Sequence, residues 1–92
     1  ASFGFDYNTS SSNVTITHET GDSISGNQLN TTGVSWATGY GNWSDHTTVT
    51  AGTSITKQAS SSFNGETIRV VWTSQNGETS ATLSQSTAPG GA

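Results

Sequence analysis

Four asparagines in this chain stand in Asn-x-Ser/Thr triplets, the pattern that an N-glycosylation machinery recognises in exported proteins. They are Asn8, Asn13, Asn30 and Asn42. Ser and Thr together make up about a third of the residues, so chance explains part of this pattern. Asn8, Asn13 and Asn30 each lie next to a side chain that we expect to point inward. We therefore expect all three to face solvent, where a glycan could be attached.

Three aromatic residues, Trp36, Tyr40 and Trp43, lie in one short stretch that is broken by two glycines. Exposed aromatic rings beside small polar residues can stack on the faces of sugars. The alternative is that Trp36 belongs to the core while Tyr40 and Trp43 cover a sheet edge or a subunit contact, and we favour this interpretation. The three residues are candidates for either a sugar contact or a subunit contact.

Residue types that carry catalysis or bind metals are sparse. The chain has no cysteine, which excludes disulfides, thiolate metal sites and a cysteine nucleophile. His18 and His46 have no ligand partner at a metal-binding spacing, and Asp6, Asp22 and Asp45 match no calcium-loop pattern. No Gly-x-Ser-x-Gly elbow is present, and no Ser/His/Asp set can be preferred over another. We expect no cofactor, no metal ion and no enzymatic activity.

The composition describes a folded domain with a weakly charged surface. Of 92 residues, 28% are hydrophobic and only 9% are charged, with a net charge of −4. Disordered chains usually carry a higher net charge and fewer aromatic residues. With two Lys and Arg residues in total, the chain lacks the positive surface that binding to nucleic acid requires.

Short alternating runs separated by turn residues predict an all-β fold. We expect a single Ig-like antiparallel β-sandwich of about seven to eight short strands over residues 1–84, followed by a flexible tail over 85–92. The predicted core is Phe3, Phe5, Tyr7, Val14, Ile16, Ile24, Leu29, Val34, Trp36, Val49, Ile55, Ile68, Val70, Trp72 and Leu83.

The strongest local pattern is a β-hairpin over residues 66–83, in which two alternating runs flank the Asn-Gly pair at 76–77. Asn-Gly best fits a two-residue type I′ turn, because both central positions need φ > 0. One face of this hairpin is apolar and must pack on another layer, most simply a second sheet. The expected pairs on that face are Trp72 with Ala81 and Val70 with Leu83.

Several segments carry a family resemblance, and together they cover about a third of the chain. They are residues 3–7 (FGFDY), 14–18 (VTITH) with 21–24 (GDSI), 51–55 (AGTSI), and 65–72 (GETIRVVW) with Gly77 and 81–83 (ATL). In this order they resemble the exposed β domain of archaeal type IV pilins, especially the haloarchaeal pilin-like proteins. Thr53 stands where the family usually has Asp, and the low charge departs from its strongly acidic members.

The resemblance implies a structural subunit of a cell-surface filament that serves adhesion. Such pilins carry a short leader, an apolar N-terminal helix and a β-sandwich head. The helices bundle in the filament core, while the heads coat it and are often glycosylated. The implied partners are further copies of the chain and covalent glycans, outside the cell. The apolar helix is absent from this sequence, so contact with a membrane is expected only through a helix that would precede Ala1.

Two alternatives remain open. One is a secreted carbohydrate-binding β-sandwich module that uses the three aromatic residues named above. The other is donor-strand exchange, in which residues 1–7 pair with the sheet edge of a neighbouring subunit through the alternating Phe3, Phe5 and Tyr7. These three residues could equally pair within their own sandwich.

Overall fold

The strand signals of the sequence correspond to eight β-strands in a computed structural model, which describes residues 2–37, 41–61 and 63–89. Within those ranges no helix is both long and apolar enough to cross a membrane. The strands are β1 (Ser2–Asn8), β2 (Asn13–Thr20), β3 (Ile24–Ser25), β4 (Leu29–Thr32), β5 (Thr48–Val49), β6 (Ser54–Gln58), β7 (Thr67–Thr73) and β8 (Ser80–Thr87). Two single-turn 3-10 helices, η1 (Gly26–Gln28) and η2 (Trp43–Asp45), lie between strands.

Two three-stranded antiparallel sheets form the layers of the sandwich, as predicted. The first sheet has the strand order β1-β2-β6, the second has the order β4-β7-β8, and β3 pairs with β5 in a two-stranded ribbon. Residues that follow β4 pair with the outer part of the first sheet. Trp36 bridges to Ala59, and the Ala37 N–H donates to the Gln58 carbonyl at 2.8 Å. The chain therefore connects the two layers beside β6.

The core lies between the sheets and follows the two-residue period of the strands. Val14, Ile16 and His18 of β2 are fully buried, as are Ile68 and Val70 of β7. All of the predicted core residues are either buried or packed against the buried cluster. The cluster also contains four buried residues that the alternation did not predict, namely Trp43, Ala59, Phe63 and Ala88.

The predicted hairpin forms from β7 and β8, with one difference in register. Trp72 pairs with Ala81 as predicted, and Val71 pairs with Thr82. Val70 then pairs with Ser84, because a bulge between Val70 and Val71 shifts the register by one residue. The predicted pairing of Val70 with Leu83 is therefore wrong.

The turn of this hairpin is wider than the predicted type I′ turn. The Gly77 N–H donates to the Ser74 carbonyl at 2.9 Å, and the Ser74 N–H donates to the Thr79 carbonyl at 2.8 Å. Gly77 has a φ of +75°, but Asn76 does not have the positive φ that a type I′ turn requires. The Asn76 Oδ1 instead accepts hydrogen bonds from Ser74 Oγ at 2.7 Å and the Glu78 N–H at 3.1 Å. These side-chain contacts stabilise the wider loop.

The predicted flexible tail over 85–92 is wrong for its first residues. Strand β8 continues through Thr87, and Ala88 is buried. The Ala88 N–H donates to the Glu66 carbonyl at 2.8 Å, which ties the end of the hairpin to its beginning. Pro89 is exposed, and residues 90–92 lie outside the described ranges.

Candidate functional site

Three of the four candidate glycan acceptors, Asn8, Asn30 and Asn42, are exposed, and among the described residues the side chains of Asn8 and Asn30 have no hydrogen bond with a charged group. Asn8 ends β1, where its Oδ1 accepts a hydrogen bond from the Ser10 N–H at 3.1 Å. This local Asx turn uses the side-chain oxygen and not Nδ2, the atom to which a glycan is attached. Asn30 lies in β4 between the buried Leu29 and Thr31, so the strand alternation points it outward. Both residues match the expectation of solvent exposure.

Asn13 is less accessible than predicted. It is half-buried at the start of β2, where it pairs with Asn8 on one side and Gln58 on the other. Its Oδ1 is buried without a hydrogen-bond partner among the described residues. The prediction that Asn13 faces solvent is therefore only partly correct, because the central sheet position buries the side-chain oxygen.

Asn42 differs from the other three because its side chain contacts a lysine. The Lys57 Nζ donates to the Asn42 Oδ1 at 2.7 Å. Asn42 precedes η2, and its backbone N–H donates to the Asp45 Oδ2 at 3.0 Å. The Asp45 N–H in turn donates to the Asn42 carbonyl at 3.1 Å. The residue is exposed, yet both its backbone and its side chain are held in place.

Lys57 is buried on the inner face of β6, with 8% of its surface exposed. A lysine is rarely buried to this extent without a partner. Its Nζ lies 5.6 Å from the centre of the Trp36 ring, within cation–π distance. Desolvation lowers the pKa of Lys57, and the charge of Asp45 offsets part of that effect. We call Lys57 and the two residues that contact its amine, Asn42 and Trp36, the lysine cluster.

The backbone places the lysine cluster with contacts that do not depend on the lysine. The Gly41 N–H donates to the Thr56 carbonyl at 3.1 Å, which holds the residue before Asn42 against β6. The Trp36 Nε1 donates to the Thr31 carbonyl at 3.0 Å, and the Trp43 Nε1 donates to the Thr31 Oγ1 at 3.0 Å. A single buried threonine of β4 therefore anchors both indoles.

The two tryptophans do not form the exposed sugar-stacking surface considered from the sequence. Trp43 has 1% of its surface exposed and packs edge-on against Phe3, with ring centroids 5.4 Å apart. The candidate role of Trp43 in a sugar or subunit contact is therefore wrong, because η2 turns its ring into the core. Trp36 is half-buried and covers Lys57, while Tyr40 lies outside the described residues.

The candidate strand-exchange segment pairs within its own chain. Strand β1 forms seven register pairs with β2. Phe3 is buried, and Phe5 and Tyr7 are half-buried and packed against the core. The Phe3 N–H also donates to the Ser84 Oγ at 3.0 Å, which joins the edges of the two sheets. Of the two pairings that the sequence allowed, the structure contains the intramolecular one.

Among the described residues, the histidines and carboxylates do not come together in one site. His18 is fully buried, where its Nε2 lies 3.2 Å from the Asp22 carbonyl and its ring packs edge-on against Phe3. In residues 2–37, 41–61 and 63–89 no group of three or more His, Cys, Asp or Glu side chains lies close enough together to hold a metal ion. Asp45 participates in the backbone cap of η2.

Sequence reasoning missed Lys57, although a signal for it was present. Ile55, Lys57 and Ala59 alternate, and the first and last of these are apolar residues suited to an inner face. Strand period alone therefore points the lysine inward. What the period could not indicate is the partner, because Asn42 approaches from a different part of the chain.

Comparisons with known proteins do not assign a family. No protein-family model matches the chain, and a search of curated proteins gives no match. The resemblance to archaeal pilins therefore rests on the sequence motifs alone.

Proposed function

We propose that this chain is the extracellular head domain of an archaeal type IV pilus-like filament, a structural subunit that assembles with copies of itself and serves adhesion. The observation that carries the proposal is the surface chemistry. Asn8 and Asn30 present exposed glycan-acceptor sites on a domain in which only 9% of the residues are charged. An uncharged surface lets identical subunits pack closely without like-charge repulsion, and glycans would cover its outer side.

The edge of the second sheet supports a subunit contact. Strand β8 lies at that edge and contains neither a charged residue nor a proline, two devices that commonly protect edge strands from pairing. Its first residues, Ser80, Ala81 and Thr82, are exposed. An edge of this kind is a hazard for an isolated monomer, but it suits a domain that packs against neighbours in a polymer.

The positions of the motif segments also support a pilin head. Residues 3–7 lie in β1, residues 14–18 in β2, residues 51–55 at the turn before β6, and residues 65–83 in the final hairpin. Residues 21–24 form the turn that leads into β3, so most but not all of the resembling residues lie in the two main sheets. A shared sandwich would account for the collinear order of the motifs.

The alternatives have weaker support. A carbohydrate-binding module would need exposed rings, and Trp43 is in the core. Donor-strand exchange would require β1 to leave β2, with which it already pairs along its length. Only the pilin proposal implies contact with a membrane, and that contact would be made by a helix preceding this domain.

The proposal can be tested on cells that express the protein. Surface filaments are sheared from the cells, and the filament, membrane and supernatant fractions are digested with trypsin. The proposal predicts that the tryptic peptide that begins at Val70, after Arg69, is most abundant in the filament fraction. If this peptide came mainly from the supernatant, and the undigested protein there were a soluble monomer, the proposal would be overturned and a secreted binding module would be favoured.

A further inference from the structure

The lysine cluster brings a primary amine into contact with a carboxamide. The Lys57 Nζ lies 2.7 Å from the Asn42 Oδ1, although the two residues are 15 positions apart in the chain. We propose that these two side chains form an intramolecular isopeptide bond between Lys57 Nζ and Asn42 Cγ, made by the folded domain itself.

The surroundings of Lys57 favour the reactive form of its amine. A lysine must lose its proton before its nitrogen can act as a nucleophile. Lys57 is buried on the inner face of β6 and lies under the Trp36 ring, and this desolvation lowers its pKa. Asp45 opposes the effect only in part. A larger fraction of Lys57 is therefore neutral at a given pH than for an exposed lysine.

The reaction is balanced without any further reactant. The lone pair of Lys57 Nζ attacks Asn42 Cγ, and a new Nζ–Cγ bond forms. The Cγ–Nδ2 bond then breaks, and Nδ2 leaves as ammonia after it takes up one proton from Nζ. Asn42 is exposed, so water can relay that proton and the ammonia can diffuse away. A primary amine and a primary amide become a secondary amide and ammonia, with no change of oxidation state.

The fold holds both reacting groups in position before the reaction. Asn42 is fixed by the hydrogen bond from its N–H to Asp45 Oδ2 at 3.0 Å, and its neighbour Gly41 is bonded to Thr56 of β6 at 3.1 Å. Lys57 is fixed by its place in the strand and by Trp36. Prior positioning of this kind converts an encounter between two groups into an intramolecular step, which is a large source of rate acceleration.

The bond would supply a covalent fastening in a chain that has no cysteine. It would tie the residue that precedes η2 to β6 of the first sheet and close the loop that contains η2 and β5. It would also prevent N-glycosylation at Asn42, the first residue of the fourth Asn-x-Ser/Thr triplet. Crosslinking removes Nδ2 from Asn42, so this residue cannot carry both the isopeptide bond and an N-linked glycan.

Trypsin provides a direct test, because Lys57 and Arg69 are the only residues after which it cleaves this chain. The full chain is produced in a host without N-glycosylation, incubated in its folded state, and digested in denaturant so that burial cannot protect Lys57. An uncrosslinked chain gives peptides 1–57, 58–69 and 70–92. Crosslinking blocks cleavage at Lys57, so we expect only 1–69, lighter by one ammonia molecule, and 70–92. Fragmentation of 1–69 should locate the link at Lys57 and Asn42.

Matched variants separate this bond from other losses of ammonia. Asn42→Ala and Lys57→Arg should both keep their full sequence masses, whereas Asn30→Ala, which removes an exposed asparagine of β4, should still lose one ammonia. Asn-Gly pairs at 64–65 and 76–77 can also lose ammonia by cyclising to a succinimide. That loss would appear in peptide 58–69 or 70–92 with Lys57 still cleaved. Such a pattern, or full-mass peptides 1–57 and 58–69 from the folded protein, would overturn the proposal.

Discussion

At the residue scale, the chemistry of this domain centres on one buried lysine. Lys57 contacts the Asn42 side chain and the Trp36 ring and has little access to water. The cost of burying a charged amine is reduced when the amine is neutral, and this is the physical reason for its lowered pKa. A crosslink would remove the charge altogether, so burial and covalent reaction favour the same arrangement.

A pH dependence of stability follows when the crosslink is prevented. In an Asn42→Ala variant, Lys57 keeps a free amine whose pKa is lowered by burial from the ordinary value of 10.5. Between the lowered folded pKa and 10.5 the unfolded chain binds more protons than the folded chain, so the free energy of unfolding should rise with pH. Below that window both states are protonated and the rise is absent.

The control for this prediction is Asn42→Ala combined with Lys57→Met, which keeps an unbranched apolar side chain but removes the titrating amine. Urea unfolding of both variants at a series of pH values measures the difference. The difference in unfolding free energy between them should change with pH in favour of the lysine form as pH rises. Parallel pH profiles would show that burial does not perturb this amine.

Trp43 is predicted to act through packing and not through sugar binding. Trp43→Ala removes a ring with 1% of its surface exposed and also leaves the Thr31 Oγ1 without its indole partner. Loss of a buried aromatic side chain costs about 3–5 kcal/mol of unfolding free energy. Trp36→Ala, the same change at a half-buried position, should cost less. Urea denaturation followed by circular dichroism tests the order, and equal or reversed losses would contradict it.

At the element scale, the local alternation of apolar and polar residues predicts the strands. It does not predict the segments that pass from one sheet to the other. Alternation in 66–83 predicted the pairing of Trp72 with Ala81, because register near a turn is fixed by the turn and by the apolar face. It could not place the bulge, since Val70 and Val71 are both apolar and either could face inward. Trp43 was missed for a related reason. Trp43 is buried because it lies in η2, a single helical turn capped by Asn42 and Asp45. The two-residue alternation of strands does not apply to such a turn, so it could not predict the direction of this side chain.

The candidate site was likewise predictable only in part. Exposure of Asn8 and Asn30 followed from their place beside inward residues, a local property of strands. The contact between Lys57 and Asn42 spans 15 positions and depends on how the chain passes from the second sheet to β6. No local pattern contains that information, so the lysine cluster could be found only in the folded chain.

Gly26, the first residue of η1, lies so close to the backbone at η2 that there is no room for a side chain. A Cβ at this buried position would collide with the backbone carbonyl oxygens of Trp43 and His46. Since backbone atoms cannot rotate away as a side chain can, Gly26→Ala should lower the unfolding free energy by about 1–3 kcal/mol or more.

Gly41→Ala is a suitable control for Gly26→Ala, because a Cβ at Gly41 would make only ordinary contacts, the nearest at 3.6 Å to the Ile55 Cβ. Replacing glycine at such a position reduces the entropy of the unfolded chain, so the change should be neutral or should stabilise the protein by up to about 1 kcal/mol. Thermal or urea unfolding compares the two variants. A Gly26→Ala protein as stable as the Gly41→Ala protein would show that η1 and η2 do not meet as closely as described.

At the scale of the whole molecule, a sandwich of 92 residues has only a small core to keep it folded. Domains of this size bury a modest core, and stability often depends on covalent staples. In a chain without cysteine, an isopeptide bond across a loop of 15 residues would contribute about 3 kcal/mol by the chain-entropy treatment used for disulfides. The candidate glycan acceptors Asn8 and Asn30 are exposed on the same molecule, away from the buried core.

Glycan occupancy on the native protein should follow accessibility. Asn8 and Asn30 are exposed, whereas the Asn13 side-chain oxygen is buried and Asn42 is held by Lys57. We therefore expect glycans on Asn8 and Asn30 and none on Asn13 or Asn42. Mass spectrometry of peptides from the native protein, before and after enzymatic removal of glycans, measures this. Glycans on Asn13 with Asn8 and Asn30 bare would contradict the assignment of the outer surface.

The measurement that tests the central proposal most directly is a helical reconstruction by cryo-electron microscopy of filaments sheared from cells that express this protein. We expect the eight-stranded sandwich to fit a repeating unit of the outer layer, with Asn8 and Asn30 facing solvent. We also expect neighbouring copies to contact one another along uncharged faces. Filaments whose density cannot accommodate this sandwich, or cells that carry the protein only as a free monomer, would contradict the proposal that it is a filament subunit.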